Sequence, residues 1–97
     1  MTAVRTVWKF PIVPARQAVA MPAGAEIIHV GDDPDGTLCL WALVDDDGRP
    51  VVDRDIVAAG TGGWVPNDRL LTHLGSCVQG LLVWHIFEET DPDEVAR

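Results

Sequence analysis

The chain has 97 residues, a length that makes one domain rather than two. Apolar residues make up 47% of it and charged residues 23%, proportions of a folded globular protein that exclude intrinsic disorder. Fifteen acidic residues against seven basic ones leave a formal net charge of −8, which repels a phosphate backbone and sets nucleic acid aside as a partner.

Taken in order, Val4 to Phe10 alternates loosely and predicts an edge strand, closed by Pro11 and Pro14, which remove backbone donors. Lys9, Pro11, Pro14 and Arg16 interrupt any apolar run of the length that export needs. No stretch approaches the roughly 20 apolar residues of a spanning helix, so neither a membrane segment nor a membrane partner is expected. Gln17 to Met21 has the composition of a short strand or one helical turn. Pro22 favours the strand, because it holds the residue before it extended.

Ala25 to Val30 is rich in β-branched residues and runs through an acidic turn, Gly31 to Gly36, into Thr37 to Val44. That last stretch is apolar at seven consecutive positions. Leu38, Leu40, Ala42 and Val44 fall on one face and Cys39, Trp41 and Leu43 on the other, which predicts a central strand covered on both sides. Asp45 to Gly48 is a second turn signal, from which Pro50 to Ala59 is expected to return as a hairpin partner near the sheet margin. Asn67 to Leu74 begins with capping residues and carries Leu70, Leu71 and Leu74 at helical spacing, which predicts one or two helical turns. A strand beginning at Leu74 is the alternative. Leu81 to Phe87 is again apolar on both faces and reads as the neighbour of the central strand. The expected fold is therefore a mainly β single domain over residues 1–89, with about six antiparallel strands forming a twisted sheet, half-barrel or small sandwich and at most one short helix. Residues 90–97 are expected to be a flexible acidic tail.

Cys39 and Cys77 have no paired spacing and read as small buried residues, which places the chain in a reducing, cytoplasmic setting. His29, His85 and the two cysteines come from four different segments, and the aspartate runs lack a complete calcium-loop order, so no metal and no cofactor is expected. Thr61, His73, Ser76 and Cys77 are close in sequence, but no nucleophile elbow accompanies them, so the chain does not read as an enzyme.

Gly60-Thr61-Gly62-Gly63-Trp64 is the most irregular segment and the candidate interaction or ligand loop. Its glycines supply either a tight turn, the commoner role, or a nest of N–H groups for an anion. Trp8, Trp41 and Trp84 are expected in the core. Trp64, on the loop, is either tucked over the sheet end or offered to a partner.

Five stretches, Val7-Trp-Lys-Phe-Pro11, Met21-Pro-Ala-Gly-Ala25, Cys39-Leu-Trp-Ala-Leu-Val-Asp45, Gly60-Thr-Gly62 and Val83-Trp-His-Ile-Phe-Glu88, follow in an order and spacing that resemble a family of small uncharacterised proteins encoded by bacteriophages and prophage-carrying bacteria. The resemblance spans residues 7–88 and implies an accessory phage protein, with no activity or cofactor attached. Members often carry a histidine directly after the Gly-Thr-Gly, where this chain has Gly63. The functional expectation is a non-enzymatic protein that binds a host protein through a sheet edge and the Trp64 loop. Its rival is a protein that sequesters a nucleotide signal, with Arg54 and the Gly60 to Gly63 turn on the phosphates. Apolar surface left on the last strand would favour a homo-oligomer.

Overall fold

The computed structural model describes residues 4–95; the ends of the expected domain and tail, 1–3 and 96–97, lie outside that range. Among the described residues the chain forms strands β1 (Arg5–Pro11), β2 (Arg16–Pro22), β3 (Glu26–Asp32), β4 (Leu38–Asp45), β5 (Val51–Gly60), β6 (Leu70–Gln79) and β7 (Leu82–Thr90), then one helical turn, α1 (Pro92–Val95). The strands pair, all antiparallel, in two open sheets ordered β1-β4-β3 and β2-β5-β7-β6. Among the described residues no helix is long and apolar enough to cross a membrane.

The mainly β expectation holds, and of the sheet forms expected the strands take two sheets, with an allocation of strands that differs from the one expected. β4 is central, as its sequence requires, with β1 and β3 on its flanks. Its neighbour is not β7, which lies in the other sheet between β5 and β6. Nor does β5 fold back onto β4. After the Asp45–Gly48 turn the chain crosses to the second sheet, where β5 takes an interior place between β2 and β7 rather than the margin. The cover that β4 demands thus comes from a facing sheet: Leu38, Leu40, Ala42 and Val44 share one core cluster with Ile56, Ala58, Cys77 and Ile86. Removing this much apolar surface from water is the main stabilising contribution in so small a domain.

On the outer face of the first sheet Cys39 is buried, whereas Trp41 and Leu43 keep partial exposure. Val83 is also only partly buried, so the expected cover on both sides is missing on the outer faces of β4 and β7, whereas Trp84, partly buried, lies on the inner face of β7 opposite Cys77 and packs against the core cluster. Trp8, unlike Trp84, is not a core residue. It stands on edge strand β1 and is exposed, with its ring 6.4 Å from that of Phe10.

The predicted helix over 67–74 is absent, and the segment from Leu70 is β6. A bulge between His73 and Gly75 inserts one residue and turns Leu74 against the core, which breaks the two-residue alternation and mimics helical spacing. A second bulge, between Ile27 and His29, throws Ile28 outward in β3. These two bulged strands are where the sheets come nearest: a Cβ at Gly75 would lie 3.0 Å from a methyl of Val30. The one helical turn falls instead in the expected tail, and β7 runs one residue past the expected boundary, to Thr90.

Candidate functional site

Gly60, Thr61, Gly62, Gly63 and Trp64 do form one loop, and it leaves the end of β5 as a tight turn. The Gly63 N–H donates to the Gly60 carbonyl at 2.8 Å, with Gly62 at φ +84°. A side chain at position 63 in this conformation would place its Cβ 2.9 Å from the Gly60 oxygen, so the turn accepts only glycine there. Thr61 N–H donates to the Val83 carbonyl at 3.2 Å. Two of the N–H groups that an anion nest would offer are therefore spent inside the fold.

The base of the loop is held by a row of side chains on the outer face of the second sheet. Thr61 Oγ1 lies 2.8 Å from His85 Nε2, His85 Nδ1 lies 3.0 Å from Ser76 Oγ, and Ser76 Oγ lies 3.2 Å from His73 Nε2. Antiparallel register delivers this row: Ser76 pairs with His85 across β6 and β7, and His85 pairs with Ala59 across β7 and β5, two residues before Thr61. His73 packs on Phe87 with ring centroids 5.2 Å apart. Chemically the row is a hydroxyl–imidazole chain. Among the described residues no carboxylate hydrogen-bonds to His85, and the groups that orient its ring are the hydroxyls of Thr61 and Ser76. Its evident work is to tie the loop to two strands.

Beside the row, Gly60, Gly63, Val65, His85 and Phe87 line a shallow cavity of about 220 Å³. Trp64 does not fill it. The indole is 95% exposed, so the loop tryptophan is offered rather than tucked. Further apolar side chains stand at the same end of this sheet. β6 turns into β7 through Gly80 and Leu81, and Val78, Leu81 and Leu82 are all exposed. The β3–β4 loop arrives there too, since Gln79 Nε2 donates to Asp32 Oδ1 at 2.6 Å and to the Gly36 carbonyl at 3.2 Å, while Gln79 Oε1 accepts from the Trp84 indole at 3.0 Å.

Arg54 is not part of this loop. It lies on β5 six residues before Gly60, about 20 Å along an extended strand. Its guanidinium is paired to both oxygens of Glu88, with a further bond to the Ala25 carbonyl at 2.8 Å. The Glu88 hydrogen bonds keep it firmly protonated. It serves as a polar tie among β5, β7 and the β2–β3 turn.

The remaining polar residues have similar structural employment. His29 packs against Trp41 in a tilted arrangement, ring centroids 5.3 Å apart, on the outer face of the first sheet, whereas His85 lies on the outer face of the second, so the two histidines are in different sheets. Asp33 accepts the N–H groups of Asp35 and Thr37 and pairs with Lys9 at 3.0 Å; the Lys9 ammonium and the Thr37 N–H hold its carboxyl below the usual range. Asp47 is bound by Arg49, which holds its carboxyl down at about 2. Burial raises both thiols, Cys39 and Cys77. A second cavity, about 240 Å³, lies where Arg16 grips the buried Glu89 through two bonds of 3.0 and 2.8 Å and Arg69 meets Asp55 at 3.1 Å. Its arginines are already neutralised by its acids. Among the described residues no three His, Cys, Asp or Glu side chains gather as a metal would need.

No curated protein and no solved structure matches the sequence. A family model does, over residues 3–97, nearly the full length. The chain belongs to the DUF7352 family, a domain of unknown function.

Proposed function

We propose that this domain is a non-enzymatic binding protein that engages another protein through the Trp64 loop, and that in the phage setting its sequence resemblance implies the partner is a host protein. The observation that carries the reading is the 95% exposure of an indole on a loop whose base is tied down by Thr61 and His85. Large aromatic side chains are buried in most small domains, because exposing one forgoes the transfer free energy that stabilises the fold. A tryptophan held out on an anchored turn suits an interface hot spot, which loses little conformational entropy on docking. The nucleotide reading has weaker support, since Arg54 is committed to Glu88 and two loop N–H groups are already bonded.

The test is a capture experiment from host lysate with the wild-type chain and Trp64→Ala side by side, followed by titration of the captured protein. Truncating an anchor of this kind costs about 2 kcal/mol or more, roughly thirtyfold in affinity. The urea midpoint should barely move, because the side chain touches little of its own fold. A variant that binds as tightly as wild type would end the proposal.

A further inference from the structure

The partner's chemistry can be read from the surroundings of Trp64, provided the binding reading itself holds. The end of the molecule that exposes Trp64, Val65, Val78, Leu81 and Leu82 also carries the β3–β4 loop with Asp32, Asp33 and Asp35. Of these three, Asp33 is paired with Lys9. Asp32 accepts only from Gln79 and Cys77, and Asp35 is exposed; neither has a cation within ion-pair distance among the described residues. Lys9 apart, the cations among the described residues lie elsewhere. Arg5 pairs with Asp45 where β1 begins and β4 ends, Arg49 occupies the turn beyond Asp45, and Arg54, Arg16 and Arg69 are held by Glu88 and Glu89 toward the other end of β7.

The exposed apolar end thus carries beside Gln79 two carboxylates, Asp32 and Asp35, that have no ion-pair partner among the described residues, Lys9 being engaged by Asp33 and reaching Asp35 only at longer range. A like-charged or neutral apolar partner would have to strip water from these groups without repaying them, whereas a cationic one replaces that hydration with ion pairs. We infer that the Trp64 end docks a cationic amphipathic segment of its partner, one in which Lys or Arg side chains flank the apolar residues that meet Trp64 and Leu81.

A displayed library of random 15-residue peptides, selected at low salt on the immobilised full chain and screened in parallel on Trp64→Ala, separates this inference from the reading it rests on. The expected result is peptides that combine apolar residues with an excess of Lys and Arg, that fail on Trp64→Ala, and that bind about tenfold more weakly to Asp35→Lys. Their binding should also fall as salt is raised. Asp35 is suited to this role because its carboxylate makes no bond within the fold, so its reversal leaves the scaffold intact; unchanged urea midpoints for both variants check that. Peptides that need Trp64 but are neutral or acidic, or that bind Asp35→Lys as well as wild type, would overturn the cationic inference and leave the binding reading standing. Peptides indifferent to Trp64→Ala, or no peptides at all, would overturn both.

Discussion

Ile86 and Ile28 offer a direct test of the two-layer arrangement, because the same substitution should have different costs at the two positions. Ile86 is fully buried on the face of β7 that meets β4 from the opposite sheet. Changing it to alanine deletes roughly three methylene equivalents, about 2.4 kcal/mol of transfer free energy at about 0.8 each. The surrounding β4, β5 and β6 side chains are fixed by two sheets and collapse little, so a cavity penalty brings the total to about 3–4 kcal/mol. Ile28 is the extra residue of the β3 bulge and is 51% exposed. The same truncation there loses about half the transfer free energy and leaves no enclosed void, about 1 kcal/mol in all. With a urea slope of about 1 kcal/mol per molar for a domain of this size, the midpoint should fall by about 3 M for Ile86→Ala and about 1 M for Ile28→Ala. Since a domain of this kind has only about 5–15 kcal/mol in hand, Ile86→Ala approaches the limit of folding. Equal shifts, or a larger one for Ile28→Ala, would mean that β7 does not face β4 and that the two sheets are wrongly assigned.

Two further outcomes follow from the polar structure. His85→Ala removes the hydrogen bonds to Thr61 and Ser76 together, so amide exchange at Thr61, Gly62 and Gly63 should quicken while that of β4 stays slow; unchanged exchange at the loop would show that the backbone turn alone holds it. The carboxyl of Asp47 is held at about 2 by Arg49, below its unfolded value, so it contributes stability above the unfolded value and loses it as the pH falls through that value toward 2. Urea midpoints measured from pH 5 to pH 2 should fall less steeply for Asp47→Asn than for wild type, and identical slopes would refute the assignment.

Much of this fold is legible in the residues. Six of the seven strands follow from β-branched content, from proline at strand ends and from Asp-Gly turns, within a residue or two of their bounds except for β7, which runs three residues beyond the expected Phe87. The exception, β6, is disguised by its own bulge, since the inserted residue gives Leu70, Leu71 and Leu74 a helical spacing in a strand. Sheet membership is not legible, because being apolar on both faces tells that β4 and β7 need cover without telling whether it comes from a flanking strand or a facing layer. For the site, the glycines and Trp64 stand out from the sequence, and the exposure of the indole does not. The Thr61–His85–Ser76–His73 row leaves a fainter signal. Counting back along both strands from the Gly80–Leu81 turn puts Ser76 opposite His85, but the bulge that follows hides His73, and Thr61 joins only through the β5–β7 pairing. Arg54 looks available in the sequence because its partner Glu88 lies 34 residues away.

The order in which the chain visits its two layers bears on how it comes to be folded at all. β1 belongs to one sheet, β2 to the other, β3 and β4 to the first again, and β5, β6 and β7 to the second. The β3–β4 and β6–β7 hairpins can close locally, but the β1–β4 and β2–β5 pairings join segments far apart in sequence and must wait for long loops to close. Neither layer is a contiguous piece of chain, so no single cut leaves one sheet whole and the other intact. Assembly should accordingly be slow for a domain this short, in the millisecond-to-second range typical of β topologies with distant pairings, and loss of the fold should be all-or-none, with both layers going together.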